Sequence, residues 1–100
     1  MPQVTLRMHR GLRQGAGENS KDLDETPVTV LEGESILELV RRLAAQDEFF
    51  RKNIYDETHQ MIETNIVVVL NGSVVNAQDR ASTILREGDE VRFISMFYGG

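Results

Sequence analysis

From Gln3 to His9 the chain alternates, with Val4, Leu6 and Met8 on one side and Thr5, Arg7 and His9 on the other. A period of two predicts a half-buried strand. The run that follows, RGLRQGAGENSKDLDE, is rich in glycine and polar residues and predicts a long, flexible, exposed loop over 10–25, with one helical turn around Leu12. TPVTVLEG predicts a second short strand, and Pro27 at its start suits a strand beginning or a sheet edge. In EGESILELVRRLAAQ the period changes. Ile36, Leu39, Val40 and Leu43 fall on one helical face, Ala44 can join them, and Ser35 with Glu38 spells a capping box ahead of the apolar run. Such a helix needs a sheet to lie against.

The next stretch, DEFFRKNIYDETHQMIETN, is less regular. Phe49, Phe50, Ile54 and Tyr55 can anchor it, and DETHQ reads as a turn. IVVVLNGSVV is a β-prone run, an Asn71–Gly72 turn and a short return strand, which is a strong hairpin signal. REGDE turns again around Gly88. EVRFISMF is the last strand, with Val91 and Phe93 on one side and Arg92 and Ile94 on the other. The order is strand, strand, helix, strand, short strand, strand: one α+β domain over 1–100, without an internal repeat.

Composition narrows the function classes. The net charge of −5 and the lack of a Lys/Arg cluster argue against nucleic acid, because phosphate binding needs a basic patch. Arg41–Arg42 and Arg51–Lys52 are short solvated pairs. With no cysteine there is no disulfide, no Cys-based zinc site and no cysteine nucleophile. The first residues lack the apolar core of a signal peptide, and no window approaches a transmembrane span. The expectation is a cytoplasmic, acidic, monomer-sized domain with no membrane partner.

Catalytic constellations are missing as well. His9 falls on an exposed strand face and His59 in a polar turn, neither at metal-ligand spacing with a partner. The serines lack a nucleophile elbow, GLRQGAG lacks the Lys-[ST] of a phosphate loop, and DLDE lacks Ca²⁺-loop spacing. No bound cofactor or metal is expected.

The sequence closes on FISMFYGG. Two terminal glycines arise by chance in roughly one protein in two hundred, so the dipeptide alone is a weak signal. After a final strand, however, a tail without Cβ atoms can enter a narrow channel in a partner. Its carboxylate then becomes the reactive group. A carboxylate is a poor electrophile until activated, and this domain has no nucleotide motif, so a separate enzyme would activate it. Met96, Phe97 and Tyr98 read either as strand packing or as partner docking. Ile94 and the exposed sheet face could extend that patch.

These segments resemble the ubiquitin-like sulfur carriers, the small subunit of molybdopterin synthase and the thiamine-pathway carrier (MoaD/ThiS). The resemblance runs through GLRQGAG, VTVLEGESILELVRRLAA, IVVVLNGSVV and, most specifically, LREGDEVRFISMFYGG. It implies a β-grasp (ubiquitin-like) fold: a mixed sheet packed on one main helix, its first and last strands parallel neighbours. It implies a carrier rather than an enzyme, or the small subunit of a synthase complex. A ubiquitin-activating-type enzyme would adenylate the Gly100 carboxylate using ATP and Mg²⁺. Sulfur would replace the AMP, and the thiocarboxylate would donate it on a sulfur-acceptor synthase subunit. Gly99 and Gly100 would be the reactive end of a mobile tail over 95–100, and Ile94, Met96, Phe97 and Tyr98 the partner-binding residues. The LRQGAG segment and the length favour the molybdopterin-type branch. The bulky SMFY departs from family tails, which often carry prolines or small residues there. Two other readings keep the same residues: a modifier joined through Gly100 to lysines of other proteins, and a β-grasp interaction domain in which the glycines are incidental.

Overall fold

The computed structural model describes residues 2–9 and 23–95. Its main sheet has five strands: β1 (Gln3–His9), β2 (Leu23–Thr29), β5 (Ile66–Leu70), β6 (Ser73–Val75) and β7 (Glu90–Ser95). Their order is β2-β1-β7-β5-β6. β1 and β7 run parallel in the middle, from Thr5↔Glu90 to Met8↔Phe93, and the other neighbours are antiparallel. Helix α1 (Ile36–Gln46) lies on one face. This is the β-grasp arrangement, an α+β mixed sheet packed on one main helix.

The periods seen in the sequence explain the packing. β1 sends Val4, Leu6 and Met8 into the core, β5 sends Ile66 and Val68, and β7 sends Val91 and Phe93. α1 answers with Ile36, Leu39, Val40 and Ala44. Phe50 packs edge-on to Phe93, ring centres 5.9 Å apart, which fits the quadrupole preference of aromatic pairs. The capping box is formed: Glu38 N–H donates to Ser35 Oγ at 3.1 Å, and Ser35 N–H donates to Glu38 Oε1 at 2.9 Å. Asn71 (φ 50°) and Gly72 (φ 88°) both sit in the left-handed region, as a two-residue hairpin turn between twisted strands requires.

Three expectations change. The loop expected up to Glu25 gives way to β2 already at Leu23, because all seven β2 residues pair with β1. Pro27 therefore lies inside β2 rather than at its start. An edge strand tolerates it, since one side of the strand needs no ladder partner. Ser95 is not part of a mobile tail: it closes β7 opposite Ile66 and is 2% exposed. The irregular stretch after α1 has structure of its own. A π-helical turn (Phe50–Ile54) leads into a two-stranded ribbon, β3 (Tyr55–Asp56) with β4 (Met61–Ile62). DETHQ is the turn between them, tied by Thr58 and His59 N–H groups donating to Asp56 Oδ1.

At the β6 edge Arg80 completes a ladder that β6 is too short to finish. Its Nη2 donates to the Ile66 carbonyl at 3.2 Å and its Nε to the Val75 carbonyl at 3.4 Å. Burial pushes the pKa of this guanidinium down. Among the described residues no helix is long and apolar enough to cross a membrane.

Candidate functional site

Two features converge at the end of β7. The first is the root of the tail. Ser95 is buried, and Asn65 Nδ2 donates to its Oγ at 3.4 Å. Ser95 faces Ile66, whose carbonyl Arg80 holds from the far side. The strand is thus held up to its last residue. Met96, Phe97, Tyr98, Gly99 and Gly100 lie outside the described residues, as does the stretch 10–22 with Leu12.

The second feature is the sheet face opposite α1. Ile94 lies there, half-buried, paired with Val67 of β5. The core residues of β5 are Ile66 and Val68, so Val67 and Val69 face the other way, beside Val74, which is 63% exposed. Val67, Val69, Val74 and Ile94 form an apolar patch that the helix cannot cover. The signal for it was the unbroken apolar run IVVVL. A strand with one wet face should alternate, and a continuous apolar strand is the mark of two covered faces. The described residues cover one of them.

The electrostatics of this face divide along β7. Arg7 of β1 pairs with Glu25 of β2, and its Nε lies 2.9 Å from Glu90 Oε2. The side chain of Arg92, its register neighbour on β7, makes no ion pair or hydrogen bond with a described side chain. Sequence reading placed Arg92 on this face without giving it a role.

The remaining candidates are structural. His59 is 71% exposed, and its Nδ1 sits 2.7 Å from Asp56 Oδ2. This hydrogen bond, with those from the backbone, lowers the Asp56 pKa. No three His, Asp or Glu among the described residues are placed to hold a metal ion. A surface groove of about 540 Å³ runs beside Gly33 and the start of α1, lined by Leu31, Glu38, Arg41 and Arg42. Arg42 is engaged there: it grips Glu34 and lowers that carboxyl's pKa. The groove carries acidic and basic groups together and no reactive constellation. His9 belongs to β1, and its side chain lies outside the described residues.

A β-grasp fold with an anchored terminal strand, and an apolar sheet face that no described element covers, defines a ubiquitin-like protein. More narrowly, residues 12–100 match the model of the ThiS family, and the chain belongs to that family. Solved structures repeat the fold. Small archaeal modifier protein 1 of Methanosarcina acetivorans is 20% identical, with a TM-score of 0.70 over 100% of this chain and 98% of that one. Urm1 of Trypanosoma brucei is 20% identical, with 0.65 over 98% and 95%. A Pyrococcus furiosus chain assigned as molybdopterin converting factor subunit 1 is 21% identical, with 0.63 over 95% and 98%. Among curated proteins, no sequence matches this chain.

Proposed function

We propose that this protein is a sulfur carrier whose reactive group is the carboxylate of Gly100. The observation that carries the reading is the family match, which runs through residue 100 and so includes Gly99 and Gly100. A carboxylate oxygen of Gly100 attacks the α-phosphorus of ATP on a ubiquitin-activating-type enzyme, and pyrophosphate with Mg²⁺ leaves. A persulfide sulfur then attacks the acyl carbon, AMP leaves, and a reductant or second thiol cleaves the S–S bond to free the thiocarboxylate. A sulfur-acceptor synthase subunit consumes it, in molybdopterin-type synthesis by preference over thiamine. Five residues after Ser95 reach at most about 18 Å. The activating enzyme must therefore bring its site close to the end of β7, and the aromatic residues Phe97 and Tyr98 with Met96 travel with the glycines into it. This chain supplies the substrate group and a docking surface, and the chemistry belongs to the partners.

Intact mass spectrometry tests the reading. After incubation with a matching activating enzyme, ATP and a sulfur donor, one oxygen is replaced by sulfur in the last peptide, and deletion of Gly100 abolishes the change. An unaltered terminus, under conditions that convert a known carrier, refutes it.

A second reading, conjugation through Gly100 to lysines, draws support from the likeness to small archaeal modifier protein 1. It predicts Gly-Gly remnants on lysines of cellular proteins, and a search that finds none removes it.

A further inference from the structure

The described residues close both edges of the sheet with an arginine. On β1, Thr5 N–H donates to the Asp89 carbonyl and the Gln3 carbonyl accepts from Gly88, so odd residues turn their backbone groups towards β7. The even residues Val4, Leu6 and Met8 therefore bond β2, through their partners Val28, Thr26 and Asp24. That leaves Glu25, Pro27 and Thr29 with backbone groups pointing off the sheet. Such a row is a template for a further strand. Two of these positions are disabled. Pro27 has no N–H to give. The Thr29 carbonyl already accepts from Arg42 Nη2 at 2.9 Å, which sets a guanidinium on the path of an added strand. Both residues stand opposite Gln3 and Thr5, at the far end of β2 from Leu23. The other edge repeats the device. β6 pairs only as far as Val68, and where it stops, Ile66 donates its N–H to Glu63 and its carbonyl accepts from Arg80.

The β2 edge has something to guard. Between β2 and α1 the described residues leave a largely apolar crevice of about 120 Å³, lined by Leu6, Met8, Val28, Leu43 and Phe50 among others. A strand laid along β2 would run beside it. We propose that Pro27 and Arg42 keep this edge from pairing with the same edge of a second copy, and that removing both turns it into a homodimer interface. Antiparallel pairing about a two-fold axis at position 27 sets Glu25 of one copy against Thr29 of the other. Two prolines then meet at the centre without a donor between them, and each Glu25 N–H meets a carbonyl that Arg42 occupies. Only the bonds from Thr29 N–H to the Glu25 carbonyl remain. With Pro27 replaced and Arg42 removed, the ladder closes along its length and the crevice gains a cover. The inference stands apart from the carrier reading and needs no activating enzyme.

Sedimentation velocity of the full chain over a concentration series tests this. The parent sediments as a monomer. Pro27→Val restores a donor and Arg42→Ala frees the Thr29 carbonyl, and each dimerises at the top of the series. The double variant dimerises at about tenfold lower concentration than either, the worth of the bonds regained. On dimerisation its amide exchange slows at Glu25 and Thr29 and stays unchanged at Val74 on the opposite edge. Arg42→Ala also loosens Glu34, so Ser35→Ala serves as a control that weakens the fold without touching the edge, and it stays monomeric. Thermal unfolding of each variant confirms that it folds, and Pro27→Val, which breaks no hydrogen bond, keeps the test open should Arg42→Ala unfold. A parent that dimerises through β2, variants that stay monomeric while folded, slowed exchange at Val74 instead, or association of Ser35→Ala equal to that of Arg42→Ala each overturns the proposal.

Discussion

Arg42 grips Glu34 through two nitrogens, Nε to Oε2 at 2.9 Å and Nη2 to Oε1 at 2.8 Å. Glu34 is 5% exposed and also accepts from the Leu31 N–H at 2.9 Å, while Arg42 donates onward to the Thr29 carbonyl. The pair therefore ties the end of β2 and the Gly33 turn to α1. Arg42→Ala leaves a buried carboxylate half-satisfied and costs about 1–3 kcal/mol, which lowers Tm by several degrees in a domain of this size. The hydrogen bond from Arg42 holds the Glu34 carboxyl below its ordinary value of 4.5. A depressed folded-state pKa adds stability above the unfolded value and loses it as pH falls through the folded one. The Tm gap between parent and Arg42→Ala should accordingly be wide at neutral pH and shrink in acid below 4.5. A gap that does not shrink as pH falls below 4.5 would show that the pair contributes through packing alone.

Ser35→Ala removes the oxygen that accepts from Glu38 N–H and leaves a buried helix N-terminus short of a partner. The expected loss is about 1 kcal/mol. Glu38→Ala, which removes the reciprocal bond to Ser35 N–H, costs less because Glu38 is exposed. The double variant falls short of the sum, since each half of the box positions the other. Chemical denaturation of the four proteins measures this directly.

The hairpin turn gives a backbone prediction. Gly72 has φ 88° with open space where a Cβ would stand, so an alanine there meets strain and no clash. Gly72→Ala is expected to cost about 1 kcal/mol. Asn71→Gly keeps the left-handed turn but loses the bonds from Asn71 Nδ2 to Asp89 Oδ1 and from Glu90 N–H to Asn71 Oδ1. Its loss should show as faster amide exchange at Glu90, where β7 begins.

Where the sequence carried a period, the elements could be read from it. Val4, Leu6 and Met8, the stripe from Ile36 to Ala44, and Asn71–Gly72 each stand where pattern and turn chemistry place them, because local preference and burial agree there. The parallel pairing of β1 with β7 came from family resemblance, since no local signal encodes a neighbour more than eighty residues away. β2 is read from the sequence to begin three residues too late because Leu23–Glu25 carries no apolar alternation: Asp24 and Glu25 pair through backbone at an edge. The π-turn at Phe50–Ile54 and the β3–β4 ribbon were illegible for a similar reason, their geometry being set by how Phe50, Ile54 and Tyr55 reach the core. At the candidate site, Ile94 and Arg92 were placed on the outer face by alternation alone. What distinguishes Arg92 from Arg7 is which carboxylates lie within reach, and only the register reveals that.

Phe93 and Ile94 are adjacent on β7 and point to opposite faces, so equivalent truncations should have opposite consequences. Phe93 is fully buried and packs edge-on against Phe50. Phe93→Ala opens a cavity at the central strand and costs about 3–5 kcal/mol, a large share of the roughly 5–15 kcal/mol that holds a domain of this kind together. Ile94 is half-buried beside Val67, on the face without a helix. Ile94→Ala costs the fold about 1 kcal/mol or less, yet removes part of the surface proposed to meet the activating enzyme. The two variants separate stability from docking. Phe93→Ala should unfold more than about 10 °C lower, with binding recovered on cooling to where it is folded. Ile94→Ala should unfold within several degrees of the parent and bind weakly at every temperature at which it is folded. If Ile94→Ala binds like the parent while folded, the apolar patch has no part in recognition, and the tail must carry the contact by itself.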